Sequence, residues 1–421
     1  MRRVCVTAAL LALAACGSES SSESSPAKPD SGAVDALADR NEDVVGQDAA
    51  GDISDGSDDV GEDAVEDVAG DVTEDAMDAQ HDASGPWAPY GLLSLNLHCL
   101  KLNGTSFTSN EDRFAAIAQA VNAENVGAIA AQEICSNASL DALAMLKLAL
   151  ESATGEVWST AFANAHTAWQ GTPDEAEEGV GLLVRGPVSD VQTLEYRTQA
   201  GLRRVAVTGR LPATLGGFRL VSVHLEFTDT TVREAQARET ASVAIASADP
   251  SLDVLVAGDF NATPGSPSLA AMDAFGFKQL TASLGPGRID HVLAHRATAV
   301  TATQAVEVFD GSTYPYVSDH PGMLVRLAPA TGESVMVTRL RADVDVGIGN
   351  SLFVRGDVPP LSWTQGWPAW PEPSGTWKLV LTELDAGDSF AYKFLRNDAD
   401  WQTGDNETGT GGQDHVVTPG F

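Results

Sequence analysis

The chain has 421 residues and a formal net charge of −34, with 59 Asp and Glu against 25 Lys and Arg. That length allows two or three domains, and 43% hydrophobic residues can supply a substantial core. The acid excess argues against a protein that wraps duplex nucleic acid through a broad basic face, but not against a nuclease whose bound metal brings the positive charge.

Arg2 and Arg3 precede an apolar run, Val4 to Leu13, that is too short to span a bilayer. Leu13-Ala14-Ala15-Cys16 then matches the lipobox of bacterial lipoproteins. The resemblance implies cleavage before Cys16, lipid on that cysteine, and export to the outer membrane or cell surface of a bacterium, held by the lipid anchor only. An ordinary signal peptide with an incidental cysteine is the alternative. Residues 1–16 are thus read as signal and 17–85 as an acidic tether. Between Gly17 and Ser84 about 21 carboxylates face only Lys28 and Arg40, and no aromatic residue occurs. Such a segment cannot bury enough to offset ordering, so it is expected to be disordered. Its Asp spacing lacks the Gly-and-Glu frame of an EF-hand.

Trp87 opens the folded part. "YGLLSLNLHCL" and "VGAIAAQEIC" read as buried strands around a helix-period stretch, Asp112 to Asn122. "DALAMLKLALES" is a second amphipathic helix. "GVGLLVRGPV", "LRRVAVTGRLP" and "FRLVSVHLEF" are strands, Val232 to Ala248 is a helix, and "LDVLVAGDFN" is a strand. A short helix in "SPSLAAMDAF" and strands in "RIDHVLAH", "TATQAVEVF" and "MLVRLAP" complete an α/β sandwich over 86–330. After Ala330-Thr331-Gly332 the composition shifts: five of the eight tryptophans fall there and turns replace helical periods. Residues 334–421 are therefore expected to form an all-β sandwich.

Polar residues recur at the strand ends: Asn96, Glu133, His224, Asp259, Asn261, Asp290, Asp319 and His320. Carboxylates with an amide suit a hard divalent cation, and histidines beside carboxylates suit acid–base work near neutral pH. The spacings HExxH and CxxC, which would point to zinc, are absent. Singly, each residue has a plainer reading as a turn former, a helix cap or a satisfied core histidine.

Together, "SLNLH", "AIAAQEI", "SVHLEF…VREAQ", "VAGDFNATPGSP", "RIDHVL" and "VSDHPGMLV" resemble the endonuclease/exonuclease/phosphatase superfamily in order and spacing. The resemblance implies a DNase I-like four-layer α/β sandwich that hydrolyses a phosphodiester with Mg²⁺, or with Mn²⁺ in its place. It makes Glu133 the principal metal ligand, with Asn96 beside it and Asp319 completing that site or a second one. Asp259 would align the attacking water, and Asn261 and His224 would hydrogen-bond the phosphoryl oxygens. Asp290 would orient His320 as general base. Glu178 is a possible partner fixing the tautomer of His224, or part of an acidic loop. Arg233 and Gln236 match the family pattern as structural anchors. If Asn96 and Glu133 meet, Cys99 and Cys135 end neighbouring strands, where either a disulfide or two buried thiols fit.

The segment from "SLFVRGDVPPLSW" to "YKFLRNDADWQTGDN" resembles family 20 carbohydrate-binding modules. That resemblance implies an α-glucan partner, with Trp363 and Trp401 stacking on glucose rings and Lys393 bonding hydroxyls. The plainer alternative places Trp363 and Trp377 in a core. The expected protein is a monomeric phosphodiesterase acting on nucleic acid or phospholipid. A sphingomyelinase-type enzyme would need an exposed apolar loop near its site, for which "SWTQGWPAW" is the candidate. A glycan-binding lipoprotein without activity is the third reading.

Overall fold

The computed structural model describes residues 87–421. The signal segment 1–16 with Cys16 and the tether 17–85 lie outside the described residues. The chain runs β1 (Tyr90–Asn96), α1 (Asn110–Ala123), β2 (Val126–Ser136), α2 (Ala142–Thr154), β3 (Trp158–Ala168), β4 (Ala176–Arg185), β5 (Ser189–Glu195) and β6 (Val205–Arg210). It continues with β7 (Arg219–His224), α3 (Thr230–Ala248), β8 (Val254–Asp259), α4 (Pro267–Ala274), β9 (Phe277–Gln279), β10 (Asp290–His295), β11 (Val300–Val308) and β12 (Gly322–Pro329).

Two mixed sheets result, in the orders β11-β12-β1-β2-β4-β3 and β5-β6-β7-β8-β10-β9. Their inner faces meet through residues such as Leu92, Ala130 and Leu182 on one side and Val207, Leu255 and Val292 on the other. Outside the first sheet, Phe114 and Ile117 of α1 and Leu146 and Leu150 of α2 are buried. Ala241 and Ile245 of α3 and Met272 of α4 do the same for the second sheet. The order is helix, sheet, sheet, helix, which is the four-layer α/β sandwich expected. Side-chain caps start the helices: Ser109 accepts from the Asp112 amide, Asp141 from Ala144, and Asp229 from Thr231 and Val232.

Strands β3, β5 and β9 escape the hydrophobic pattern. In "WSTAFANAHTA" small Ala, Ser, Thr and Asn side chains replace branched ones, so period-2 alternation is faint. What fixes β3 is pairing along nearly its whole length with β4.

The C-terminal part is all β: β13 (Thr338–Asp343), β14 (Leu352–Gly356), β15 (Trp367–Pro368), β16 (Trp370–Pro371), β17 (Thr376–Leu381), β18 (Ser389–Arg396), β19 (Asp400–Trp401), β20 (Glu407–Thr410) and β21 (Asp414–Val417). One sheet is β16-β17-β13-β21; the other is β15-β14-β18-β19, with β20 also on β18. Leu340, Val354, Leu379 and Phe394 fill its core, which is continuous with that of α3. The side of α3 turned from the second sheet packs on β15, β16 and β17. Trp367 is 1% exposed, its ring 4.0 Å from that of Phe275 and 3.7 Å from the Arg238 guanidinium. Asp249 at the end of α3 accepts from Arg339 at 2.6 Å and Lys378 at 3.3 Å. Within "SWTQGWPAW", Trp367 is buried and Trp370 packs toward α3, so these two indoles do not form the exposed loop that the sphingomyelinase reading required. Burying indoles on the Ala-rich face of α3 is favoured over leaving them in water.

Candidate active site

Register brings the polar residues into one row. Across β7, β8 and β10, His224 lies opposite Asp259, and Asp259 opposite Asp290. Because β10 runs antiparallel to β8, Asp290 at its start shares an edge with Asp259 at the end of β8. His320, just ahead of β12, reaches the same edge: its Nδ1 lies 2.9 Å from Asp290 Oδ2 and 3.9 Å from Asp259 Oδ2.

The first sheet supplies the opposite wall. Asn96 ends β1 and pairs with Gln132 on β2. The β2–β4 register shifts between Ala131 and Ile134, and Glu133 sits in that bulge with φ of 48°. A bulge re-aims one side chain, and the left-handed backbone of a non-glycine residue costs roughly 1 kcal/mol or more. Here it turns the Glu133 carboxylate to Asn96, whose Nδ2 donates to Glu133 Oε1 at 2.9 Å and reaches Asp259 Oδ2 at 3.4 Å. Asn96 thus joins the two walls. Gln132, fully buried, donates across to Ser222 Oγ at 3.2 Å and locks the sheets together beneath it.

Burial, and then the charge of Asp290, raise the Asp259 carboxyl above its ordinary range. Burial also raises Asp290, although its bond to His320 opposes the shift. For His320 burial acts downward, but the hydrogen bond to Asp290 and the charges of Asp290, Asp259 and Asp319 prevail and raise it to about 10. The His224 imidazole is held well below its usual range by burial and by the neighbouring Arg204.

Sequence reading overlooked Arg204. It is 4% exposed, and its Nη1 lies 3.1 Å from Nδ1 of His224. The proposed tautomer partner Glu178 instead faces His166, Oε2 to Nε2 at 3.7 Å. A guanidinium in "LRRVAV" gave no signal because it precedes an ordinary buried strand. His98 was also overlooked. Its Nδ1 stands 3.2 Å from Asp319 Oδ1, so Asp319, 46% exposed, is turned to His98 rather than to Glu133. Asn261, at φ 49°, donates from Nδ2 to the Leu225 carbonyl at 3.0 Å, and its backbone N–H donates to Asp259 Oδ1 at 2.8 Å. One amide proton of its side chain remains for a ligand. Arg233 donates to the carbonyls of Glu226 and Phe227, and Gln236 accepts from the Glu226 amide, so both brace the loop after β7.

Cys99 and Cys135 form a disulfide with Cα atoms 4.8 Å apart. It ties the ends of β1 and β2, and the Cys99 amide donates to the Glu133 carbonyl at 3.1 Å.

The facing donors are carboxylate and amide oxygens with imidazole at the margin, a hard-cation set. Asp259, Asp290 and His320 offer ligand atoms within 4.8 Å of one another, and buried Asp290 Oδ1 has no hydrogen-bond partner. Carboxyls pushed upward by burial and by each other are short of positive charge. The residues present fit a divalent cation.

In the C-terminal part, Trp363 and Trp401 have ring centroids 6.2 Å apart, tilted by 37°, and Trp401 is exposed. Arg355 lies over Trp401 at 5.3 Å. Lys393 donates to the carbonyls of Gln402 at 3.1 Å and Gly404 at 2.7 Å, so its ammonium holds that loop and keeps one proton free. Trp377 donates to the Val344 carbonyl and, half-buried, packs against the core.

The endonuclease/exonuclease/phosphatase family description matches residues 93–320, and the chain belongs to that family. It is a phosphoester hydrolase of a group that generally depends on divalent metal. Among solved structures it is similar to a family protein from Leptotrichia buccalis (15% identity, 56% of this chain and 98% of that one, TM-score 0.46). It is also similar to an endonuclease/exonuclease/phosphatase from Beutenbergia cavernae (16% identity, 76% and 99%, TM-score 0.45). A third is sphingomyelinase C from Streptomyces griseocarneus (18% identity, 57% and 99%, TM-score 0.40). No curated protein sequence matches the chain.

Proposed function

We propose that the protein is a Mg²⁺-dependent phosphodiesterase of the nuclease type, exported and held at a bacterial surface by lipid on Cys16. The observation that carries the diester is the charge of the cleft. Carboxylates of Glu133, Asp259, Asp290, Asp319 and Glu178 gather around it, while the guanidinium of Arg204 is engaged by His224. A singly charged diester meets less repulsion there than a doubly charged monoester.

In this reading Glu133 and Asn96 hold the cation, with Mn²⁺ as a substitute and Asp319 as an outer ligand. Bound Mg²⁺ would neutralise charge on the phosphoryl oxygens. A cation bound beside Asp259 and Asp290 would offset the carboxylate charge that raises His320; its deprotonated form, held at Nδ1 by Asp290, takes the proton of the attacking water on Nε2. Asp259, fixed by Asn96 and the Asn261 amide, orients that water. His224 and the free amide proton of Asn261 donate to the phosphoryl oxygens as charge develops. The paired indoles Trp363 and Trp401 support docking to α-glucan, since their faces suit the C–H faces of a sugar.

The test is Mg²⁺-dependent release from single-stranded and duplex DNA, RNA, bis-p-nitrophenyl phosphate and sphingomyelin, comparing wild type with His320→Ala. Turnover of a diester that needs both metal and His320 is expected. Turnover confined to phosphomonoesters, or unaffected by His320→Ala, would overturn the reading.

A further inference from the structure

Phe227 is 52% exposed, an unusual setting for a phenyl ring three residues beyond His224. The loop that presents it is firmly built. The Leu225 amide donates to the Asp259 carbonyl at 2.9 Å, and Asn261 Nδ2 donates to the Leu225 carbonyl. Glu226 Oε1 accepts from the amide and hydroxyl of Thr228 at 2.8 and 2.6 Å. Arg233 Nη1 donates to the carbonyls of Glu226 and Phe227 at 3.0 and 2.9 Å. One side of the ring rests on Arg204, whose Cζ lies 5.6 Å from its centroid. The same guanidinium contacts His224 Nδ1 at 3.1 Å, so ring and imidazole share one support.

We propose that Phe227 is a stacking platform that selects substrates carrying a flat ring, a nucleobase, next to the scissile phosphodiester. The inference rests on the phosphodiesterase reading and names its substrate class. A preorganised ring loses little entropy on stacking, and every base has a π-face to offer. Insertion into a lipid surface fits less well, because Thr228, the helix-capping Asp229 and Thr230 beside the ring are exposed and polar. Burying that carboxylate in a bilayer would be costly.

The experiment uses the full chain with Mg²⁺ and single-stranded DNA oligomers whose bases are either intact or replaced by abasic spacers. Cleavage is followed on the phosphodiester forms and equilibrium binding on phosphorothioate forms. The base-bearing oligomer should be favoured by roughly 5- to 100-fold in kcat/KM and in affinity. Phe227→Ala should remove that preference, chiefly through KM, while Phe227→Trp keeps it. Equal binding of base-bearing oligomer by wild type and Phe227→Ala would overturn the proposal, whatever the turnover. So would loss of binding to sphingomyelin vesicles as the sole effect of Phe227→Ala. A base preference in binding that depends on Phe227, without cleavage of any oligomer, would support the platform and defeat the nuclease reading.

Discussion

The Arg204 guanidinium sits 3.1 Å from Nδ1 of His224, and this contact decides which imidazole nitrogen carries the proton. A guanidinium only donates, so Nδ1 must accept and Nε2 must bear hydrogen. Nε2 faces Asp259 Oδ2 at 3.7 Å, toward the centre of the cleft. Arg204→Gln should therefore lower kcat on bis-p-nitrophenyl phosphate by roughly 10- to 100-fold. Nitrogen NMR of His224 should then show both tautomers; an unchanged rate with one tautomer retained would refute the assignment.

Divalent metal should stabilise the fold. Bound cation offsets the repulsion among Glu133, Asp259 and Asp290, so Mg²⁺ at 100 times its Kd should add about 2.7 kcal/mol. The melting temperature should rise with Mg²⁺, fall with chelator, and become indifferent to both in Glu133→Gln. A wild-type protein whose Tm ignores Mg²⁺ would exclude Glu133 as a ligand.

The disulfide closes a sequence separation of 36 residues. Cys135→Ala should cost about 3 kcal/mol in denaturant unfolding. Because Cys99 also contacts the Glu133 backbone, the same change should weaken the apparent Mg²⁺ affinity in activity titrations. Stability loss with unaltered Mg²⁺ dependence would separate the crosslink from the site.

Trp367 bridges the two parts of the fold. Trp367→Ala should cost roughly 3–5 kcal/mol. Calorimetry of the wild type should show one cooperative transition over the described residues rather than two. Two separated transitions would mean that the shared core does not couple them.

His295 adds a pH term. Its Nδ1 accepts from the Ala297 amide and its Nε2 meets Thr382 Oγ1 at 3.1 Å, an arrangement of the neutral ring. Burial, with Arg296 nearby, lowers it from 6.5 to about 4. Between those values the unfolded chain binds a proton that the folded chain refuses, so stability falls as pH drops from 6.5 to 4. Below that window the contribution levels off. The slope is at most about 1.4 kcal/mol per pH unit. Chemical denaturation across that range should show a shallower slope for His295→Gln than for wild type.

Layer order and the polar residues that gather along one edge were legible because strand ends carry polar residues after apolar runs, as in "VAGDFN" and "RIDHVL". Local sequence does not encode what a neighbour supplies. Strand β3 is specified by β4, and the partner of His224 comes from Arg204 on an adjacent strand entry, 20 residues away. The bulge at Glu133 depends on the pairing with β4. Trp367 reads as a surface indole until α3 shows an Ala-rich flank for it to cover.

Helix α3 lies inside one continuous apolar interior, with the catalytic sheet on one flank and the tryptophan-bearing strands on the other. The paired indoles and the His320 edge are therefore two points of one caliper with a set gap. A glucan held at the indoles would fix where the phosphodiester-cleaving edge faces, and only substrate within reach of that placement would be cut. Reaching substrate beyond it would require the whole body to let go and land again. Such an enzyme would work in discrete placements rather than by swinging an arm.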